Sequence, residues 1–223
     1  ESYMYSIAID GPAGAGKSTI AKTIAKKLEF IYVDTGAMYR AMALYFIRSQ
    51  IDYTDEAAID AACKDIRVSI TYENGMQQVI LNGENVTGQI RTEKVGNMAS
   101  KTSAYPSVRA ALLDLQRDLA KTADILMDGR DIGTNVLPDA DLKIYLTASV
   151  EVRAKRRYDE LIEKGQEADL AVIEEDIKKR DHQDMTRDIA PLRQAEDAVL
   201  VDSSGMTIEE VADTVIREFE KVK

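Results

Sequence analysis

The chain has 223 residues, 45% hydrophobic and 30% charged, with 39 acidic side chains against 29 basic ones and a formal net charge of −10. That balance suits a globular protein of one domain, or one domain carrying an insert, and excludes disorder as the default. It also argues against a nucleic-acid duplex or an anionic membrane as partner, because either would repel the chain at long range. No apolar run reaches the roughly 18 residues of a membrane span and no signal-like segment is recognisable, so the expectation is a cytoplasmic protein. The single cysteine, Cys63, cannot close an internal disulfide, and neither it nor the single histidine, His182, stands in a cluster with metal-ligand spacing.

The first apolar run, Tyr5 to Ile9, reads as a strand, and Thr19 to Leu28 as a helix with Ile20, Ile24 and Leu28 on one face. Between them stands Gly11-Pro12-Ala13-Gly14-Ala15-Gly16-Lys17-Ser18, the strand, loop and helix context of a phosphate-binding P-loop. Glycines let successive N–H groups turn inward around phosphate oxygens, and the start of the helix adds the positive end of its dipole. Lys17 reaches the outer phosphates and the Ser18 hydroxyl is placed to ligate magnesium, so Gly11 through Thr19 form the expected ATP-binding segment.

A second strand, Phe30 to Val33, leads into Asp34-Thr35-Gly36-Ala37-Met38-Tyr39-Arg40. From about 51 to 87 the rhythm breaks: Arg67 to Tyr72 and Gln77 to Leu81 alternate in period two around Glu73-Asn74-Gly75-Met76, and Asn82-Gly83 is a second turn signal. This interval predicts an inserted subdomain with a hairpin. After Pro106 the stripe Leu112, Leu115, Leu119 predicts a helix, and Ile125 to Met127 a third strand followed by Asp128-Gly129-Arg130-Asp131-Ile132-Gly133. Asp128 is the candidate acidic residue for supporting magnesium or its waters, with capping of the next turn as the alternative. Leu142 to Leu146 and Val199 to Val201 complete five branched apolar runs, which together predict a parallel sheet buried on both faces. Both post-strand segments then lie near carboxyl strand ends and are expected to line one crevice with the P-loop. Asp202-Ser203-Ser204-Gly205 reads as a strand-ending turn, and Ile208, Val211, Val215 and Phe219 as a closing helix.

A P-loop alone does not separate a kinase from a GTPase switch or a mechanical ATPase. No Asn-Lys-x-Asp guanine reader occurs, whereas Arg40, Arg109, Arg130, Arg153, Arg157, Arg180 and Arg187 fall mostly at expected loop or helix-end positions. A phosphorylated second substrate and the transferring phosphoryl group need such planar, always-charged donors. Basic residues also cluster at Arg153, Lys155, Arg156 and Arg157 and at Lys178, Lys179 and Arg180.

The P-loop, Asp34 to Arg40, Ile90-Arg91-Thr92, Tyr105-Pro106-Ser107-Val108-Arg109, Asp128 to Gly133, and Arg180-Asp181-His182-Gln183-Asp184 through Arg187 to Ala190-Pro191-Leu192 carry a specific resemblance. In this order and spacing, over nearly its whole length, the chain resembles the bacterial cytidylate kinases. The departures are mild: Thr35 stands where the family has Ser or Thr, and Ser18 where Gly also occurs. The resemblance implies an α/β P-loop NTPase fold with a five-stranded parallel sheet flanked by helices. On that fold it implies a monophosphate-binding insert at about 51–95 and a short lid at about 153–185. It also implies ATP with Mg2+ as donor and CMP or dCMP as acceptor; a monomer is the expected state, although no sequence feature sets it. By position it puts Arg40 and Arg130 on the acceptor phosphate, Thr35, Arg109, Asp131 and Arg187 around the base, and Ser100, Arg180 and Asp184 near the ribose. Lys17, Arg130 and the lid residues Arg153 and Arg157 become the catalytic set, with Ser18 and Asp128 toward the metal. Cytosine chemistry agrees, since a carboxylate such as Asp131 can take the exocyclic amino donor while arginines supply N–H groups to N3 and O2. A kinase for another monophosphate or for an alcohol such as shikimate, or a nucleotide switch without turnover, are the competing readings.

Overall fold

The structure, a computed structural model, describes residues 2–12, 14 and 16–223. In chain order it runs β1 (Ser6–Asp10), α1 (Lys17–Leu28), β2 (Ile31–Asp34), α2 (Thr35–Arg48), α3 (Glu56–Cys63), β3 (Val68–Glu73), β4 (Met76–Leu81), β5 (Glu84–Asn85), α4 (Glu93–Thr102) and α5 (Pro106–Thr122). It continues through β6 (Ile125–Gly129), a π turn (Ile132–Val136), β7 (Leu142–Thr147), α6 (Val150–Glu163), α7 (Leu170–Thr186), β8 (Val199–Asp202) and α8 (Ile208–Val222). Two compact units result, one made of the residues up to Tyr32 with Ala123–Lys223, the other of Val33–Thr122.

In the first unit the sheet has the strand order β2-β6-β1-β7-β8. β1 runs parallel to both β6 and β7, and β7 parallel to β8. The branched residues Ile7 and Ile9 of β1, Leu126 of β6 and Ile144 of β7 pack with Ile20 and Ile24 of α1 and with Val211, Val215 and Phe219 of α8 in one buried cluster. Burying those faces is what holds helices of ordinary propensity in place. The expectation of burial on both faces holds for β6, β1 and β7 and fails at the sheet edges. There Leu200 of β8 and Ile31 of β2 are exposed: Leu200 lies on the opposite face of its strand from buried Val201, and Ile31 is the first residue of β2. Ile208 departs from its stripe for a similar reason: it is the first residue of α8 and exposed, while the start of that helix is fixed by a capping box between Thr207 and Glu210.

The second unit holds the antiparallel sheet β3-β4-β5, in register from Val68 opposite Leu81 to Glu73 opposite Met76. Asn74 and Gly75, and again Asn82 and Gly83, all have positive φ (53°, 76°, 49° and 85°), the backbone that two-residue hairpin turns require. The two turn signals in the sequence therefore mark both reversals of this sheet. α2 packs against α4, and α3 against α5. The interval 51–95 falls inside this unit, which extends further on both sides.

No described helix is long and apolar enough to cross a membrane.

Candidate active site

In the first unit, β1 ends at the P-loop and α1 starts on Gly16, whose φ of 101° lies in the left-handed region that glycine adopts without strain. No side chain caps α1, unlike α6 and α7, which Ser149 and Asp169 cap. Ser18 and Thr19 stand exposed in the first turn of α1, the end of a helix whose N–H groups and dipole favour an anion. Ala13 and Ala15 of the expected ATP-binding segment lie outside the described residues. Gly11 and Pro12 are buried, and a Cβ at Gly11 would come within 2.0 Å of the Leu146 carbonyl oxygen, so only glycine lets the P-loop pass β7 here.

Lys17 Nζ lies 2.6 Å from Asp128 Oδ1 and donates to the Gly129 carbonyl at 2.7 Å. Burial and the neighbouring Arg130 push its pKa below the ordinary lysine value, while Asp128 pulls the other way. Asp128, buried at the end of β6, also accepts from the Tyr32 hydroxyl at 3.0 Å. Two residues on, Arg130 Nε donates to Asp184 Oδ2 at 3.3 Å, and Arg187 Nη1 is 3.9 Å from the other Asp184 oxygen. Arg187 is fixed in turn by Nε donating to the Ala190 carbonyl, and Asp184 by its own carbonyl accepting from Leu192. One buried carboxylate on α7 thus holds two guanidinium groups.

Arg153, in the first turn of α6, is buried. Nε donates to the Ala148 carbonyl at 2.9 Å, and Nη1 and Nη2 donate to Asp181 of α7 at 3.0 and 2.7 Å. Its aliphatic stem lies against Gly14. Arg156 donates to the carbonyl and hydroxyl oxygens of Ser203, just after β8. Pro12, Gly14, Lys17, Arg153, Arg156 and Ser203 line a small depression.

In the second unit, Asp34 caps α2 by accepting from the Ala37 amide at 3.2 Å, and its other oxygen accepts from Arg91 at 2.9 Å. Thr35 is buried. Arg40 donates to the Ile90 carbonyl at 3.0 Å, and its guanidinium lies against Gly96, where a Cβ would sit 3.0 Å from Nη2. Arg109 donates to the Ser103 carbonyl and lies over the Tyr39 ring, 5.3 Å from its centre.

A family model described as cytidylate kinase matches residues 7–221. The chain belongs to the cytidylate kinase family. Among curated relatives, the cytidylate kinase of Caldicellulosiruptor saccharolyticus is 52% identical over 97% of this chain and 96% of its own. That of Listeria innocua is 52% identical over 94% and 93%. That of Bacillus licheniformis is 45% identical over 96% of each. Solved structures that share the fold include an uncharacterized protein from Eubacterium ventriosum, at 12% identity and TM-score 0.56 over 98% of this chain and 99% of that one. A gluconokinase from Sinorhizobium meliloti is 11% identical with TM-score 0.50 over 99% and 94%. At such identity the likeness extends to architecture alone.

Against this cytidylate kinase framework, the sequence-derived residues fall as follows. Lys17, Asp128, Arg130, Arg153, Asp184 and Arg187 form the paired clusters described, and Asp131 is buried beside them, accepting from Asn135 at 3.2 Å. Arg157 is exposed and pairs with Glu160 one turn along α6 at 3.4 Å. Arg180 lies within α7, and Ser100 on α4, where its carbonyl accepts from Ser103. Of the arginines expected at loops and helix ends, Arg130 follows β6, Arg109 and Arg153 occupy first helical turns and Arg187 ends α7, whereas Arg40, Arg157 and Arg180 lie inside helices. His182 is exposed, Cys63 half-buried. Sequence reasoning missed Asp10, Asp181 and the Arg156–Ser203 tether. For Asp181 the available signal was its position three residues before Asp184, which puts both carboxylates on one face of a helix.

Proposed function

We propose that the chain transfers the γ-phosphoryl group of ATP to CMP or dCMP, giving ADP and CDP or dCDP. The observation that carries this reading is the buried pairing of Lys17 with Asp128 at the end of the P-loop strand system, two residues before Arg130, in a chain whose family match runs from residue 7 to 221.

The acceptor phosphate oxygen is already anionic, so the protein needs no covalent nucleophile. Its task is in-line placement and neutralisation of charge. The uncapped start of α1 and the P-loop amides receive the donor phosphates, and Lys17 exchanges part of its pairing with Asp128 for the outer phosphate oxygens. Such a buried lysine meets the transferring group already desolvated, which strengthens the contact. The described residues contain no group of three or more His, Cys, Asp or Glu side chains able to hold a metal alone. One hydroxyl at Ser18 and one carboxylate at Asp128 fit a Mg2+ ion that arrives with the nucleotide, whose phosphates supply most ligands. Bound there, Mg2+ would neutralise charge on the donor phosphates.

Arg40 and Arg130 are assigned to the acceptor phosphate, Thr35, Arg109, Asp131 and Arg187 to the base, and Ser100, Arg180 and Asp184 to the ribose. Segment 51–95 serves as the monophosphate-binding part and 153–185 as the lid, with Arg153 and Arg157 acting on the transferring group. The net charge of −10 supports a protein that works on small nucleotides rather than on nucleic acid or a membrane. We further place it in the cytoplasm as a monomer, which sedimentation of the purified chain tests.

An ADP-release assay with ATP and a panel of CMP, dCMP, UMP, AMP and shikimate tests the activity. CMP and dCMP should lead the panel. Faster turnover of AMP or shikimate would contradict the assignment.

A further inference from the structure

Asp10 is a buried carboxylate to which phosphoryl transfer gives no part. It ends β1, and its backbone is in register with Gly129 of β6 on one side and Tyr145 of β7 on the other. The main chain leading into Gly11 is therefore fixed by the sheet, and the side chain is not needed for that. Instead Oδ1 accepts from the Ile132 amide and Oδ2 from the Gly133 amide, both at 2.8 Å. One such bond would leave the π turn free to rotate about it. Two bonds to consecutive amides fix its orientation, and each is strengthened by the carboxylate charge.

The turn so held begins directly after Arg130 and Asp131. Its seat is close-packed: a Cβ at Gly133 would come within 3.0 Å of Lys143 Cδ and 3.4 Å of Asp10 Oδ2. From the far side of the same turn, Asn135 donates to Asp131. Every element of this arrangement belongs to the first unit.

We infer that Asp10 is a positioning residue for the acceptor, its carboxylate holding the amides of Ile132 and Gly133 so that Arg130 and Asp131, which follow β6, are presented in fixed geometry relative to β1, the strand that leads into the P-loop. This role rests on the assignment of Arg130 and Asp131 to the nucleoside monophosphate. Catalytic constellations need such support, since small displacements of a contacting group cost large factors in rate.

The test uses Asp10→Asn, which keeps the volume but turns one N–H against another, and Asp10→Ala, which removes both acceptors. Both variants should fold with an unchanged circular dichroism spectrum. Exchange of the Ile132 and Gly133 amides should quicken by about tenfold or more, with Ile7 and Ile9 changing by no more than about threefold. The KM for CMP should rise by about tenfold, more in the alanine variant than in the asparagine one, while the KM for ATP stays within about threefold. An unchanged KM for CMP in both folded variants, an equal rise for both substrates, or the failure of both to fold would each overturn the assignment, the last by making the carboxylate a global support. Should the unmodified chain phosphorylate no CMP, the functional reading fails, and amide exchange still decides whether Asp10 holds the turn.

Discussion

Gly14→Ala perturbs the P-loop through a single neighbouring side chain, that of Arg153. The added Cβ would sit 2.7, 2.9 and 3.0 Å from Cδ, Cγ and Cβ of Arg153, where carbon atoms prefer about 3.5–4.0 Å. The crowded atoms are a stem and not a mobile tip. The guanidinium at its end is held by the Ala148 carbonyl and by both oxygens of Asp181. Overpacking of this kind costs about 1–3 kcal/mol. Arg153→Ala costs stability by a different route, since it leaves Asp181, 16% exposed at its side chain, without its partner. Half or less of the roughly 3–5 kcal/mol of a fully buried broken pair is expected there, because Asp181 can turn toward water. In the double variant the two closest overlaps, with Cδ and Cγ, are gone and only the 3.0 Å approach to the Cβ of residue 153 remains, so the combined loss should fall short of the sum by about 1–2 kcal/mol. Urea denaturation of the four proteins, read at a common slope, measures this coupling. Additive losses within about 0.5 kcal/mol would show that Arg153 is not packed on the P-loop, and the account of this arginine would be wrong.

Lys17→Ala should leave the fold intact and lower turnover by about a hundredfold or more, since a transition-state charge contact is worth several kcal/mol; a variant keeping above about a tenth of normal activity contradicts the role. Asp184→Ala and Arg180→Ala should change the ratio of CMP to dCMP utilisation, because a lost partner for the 2′-hydroxyl penalises only the ribonucleotide. Equal losses would instead assign Asp184 wholly to holding Arg130 and Arg187. Arg157→Ala, at an exposed position whose partner is Glu160 on its own helix, should lower the maximal rate more than it weakens CMP binding. A hundredfold loss of CMP affinity at unchanged rate would place Arg157 with the acceptor. Asp10 should also leave a signature in pH dependence. Burial pushes its pKa up to about 6 from 3.8, opposed by the Ile132 and Gly133 amides and by Lys17 and reinforced by Asp131. The folded state holds this proton more tightly, so the group's stabilising share is complete below about pH 4 and is lost as pH rises through about 6, a swing of about 3 kcal/mol. Denaturation at pH 5 and pH 7 should show less than half of that swing, about 1.3 kcal/mol, in the unmodified chain and its absence in Asp10→Asn; an equal pH response in both refutes it.

What the sequence made legible was local. The P-loop, its flanking strand and helix, and the two hairpin turns are each encoded within a dozen residues, and each stands where its pattern put it. β5, two residues long, is too short for any period to register. The edges of the parallel sheet misled because an apolar run looks the same whether one face or two are covered. Pairings such as Arg153 with Asp181 and Arg130 with Asp184 join residues 28 and 54 positions apart, and no spacing rule reaches across two packed helices or from a strand end to a helix. Asp10 illustrates the limit best. A single carboxylate closing an apolar strand carries no pattern of its own, and its partners are backbone amides 122 and 123 residues away, which have no side-chain identity to find.

The central claim is tested most directly by following the transferred group itself. Purified chain, Mg2+, γ-labelled ATP and CMP should give CDP carrying the label at its β-phosphate, dependent on CMP and lost in Lys17→Ala. Label released only as inorganic phosphate, or transferred to another acceptor in preference to CMP and dCMP, would contradict the account.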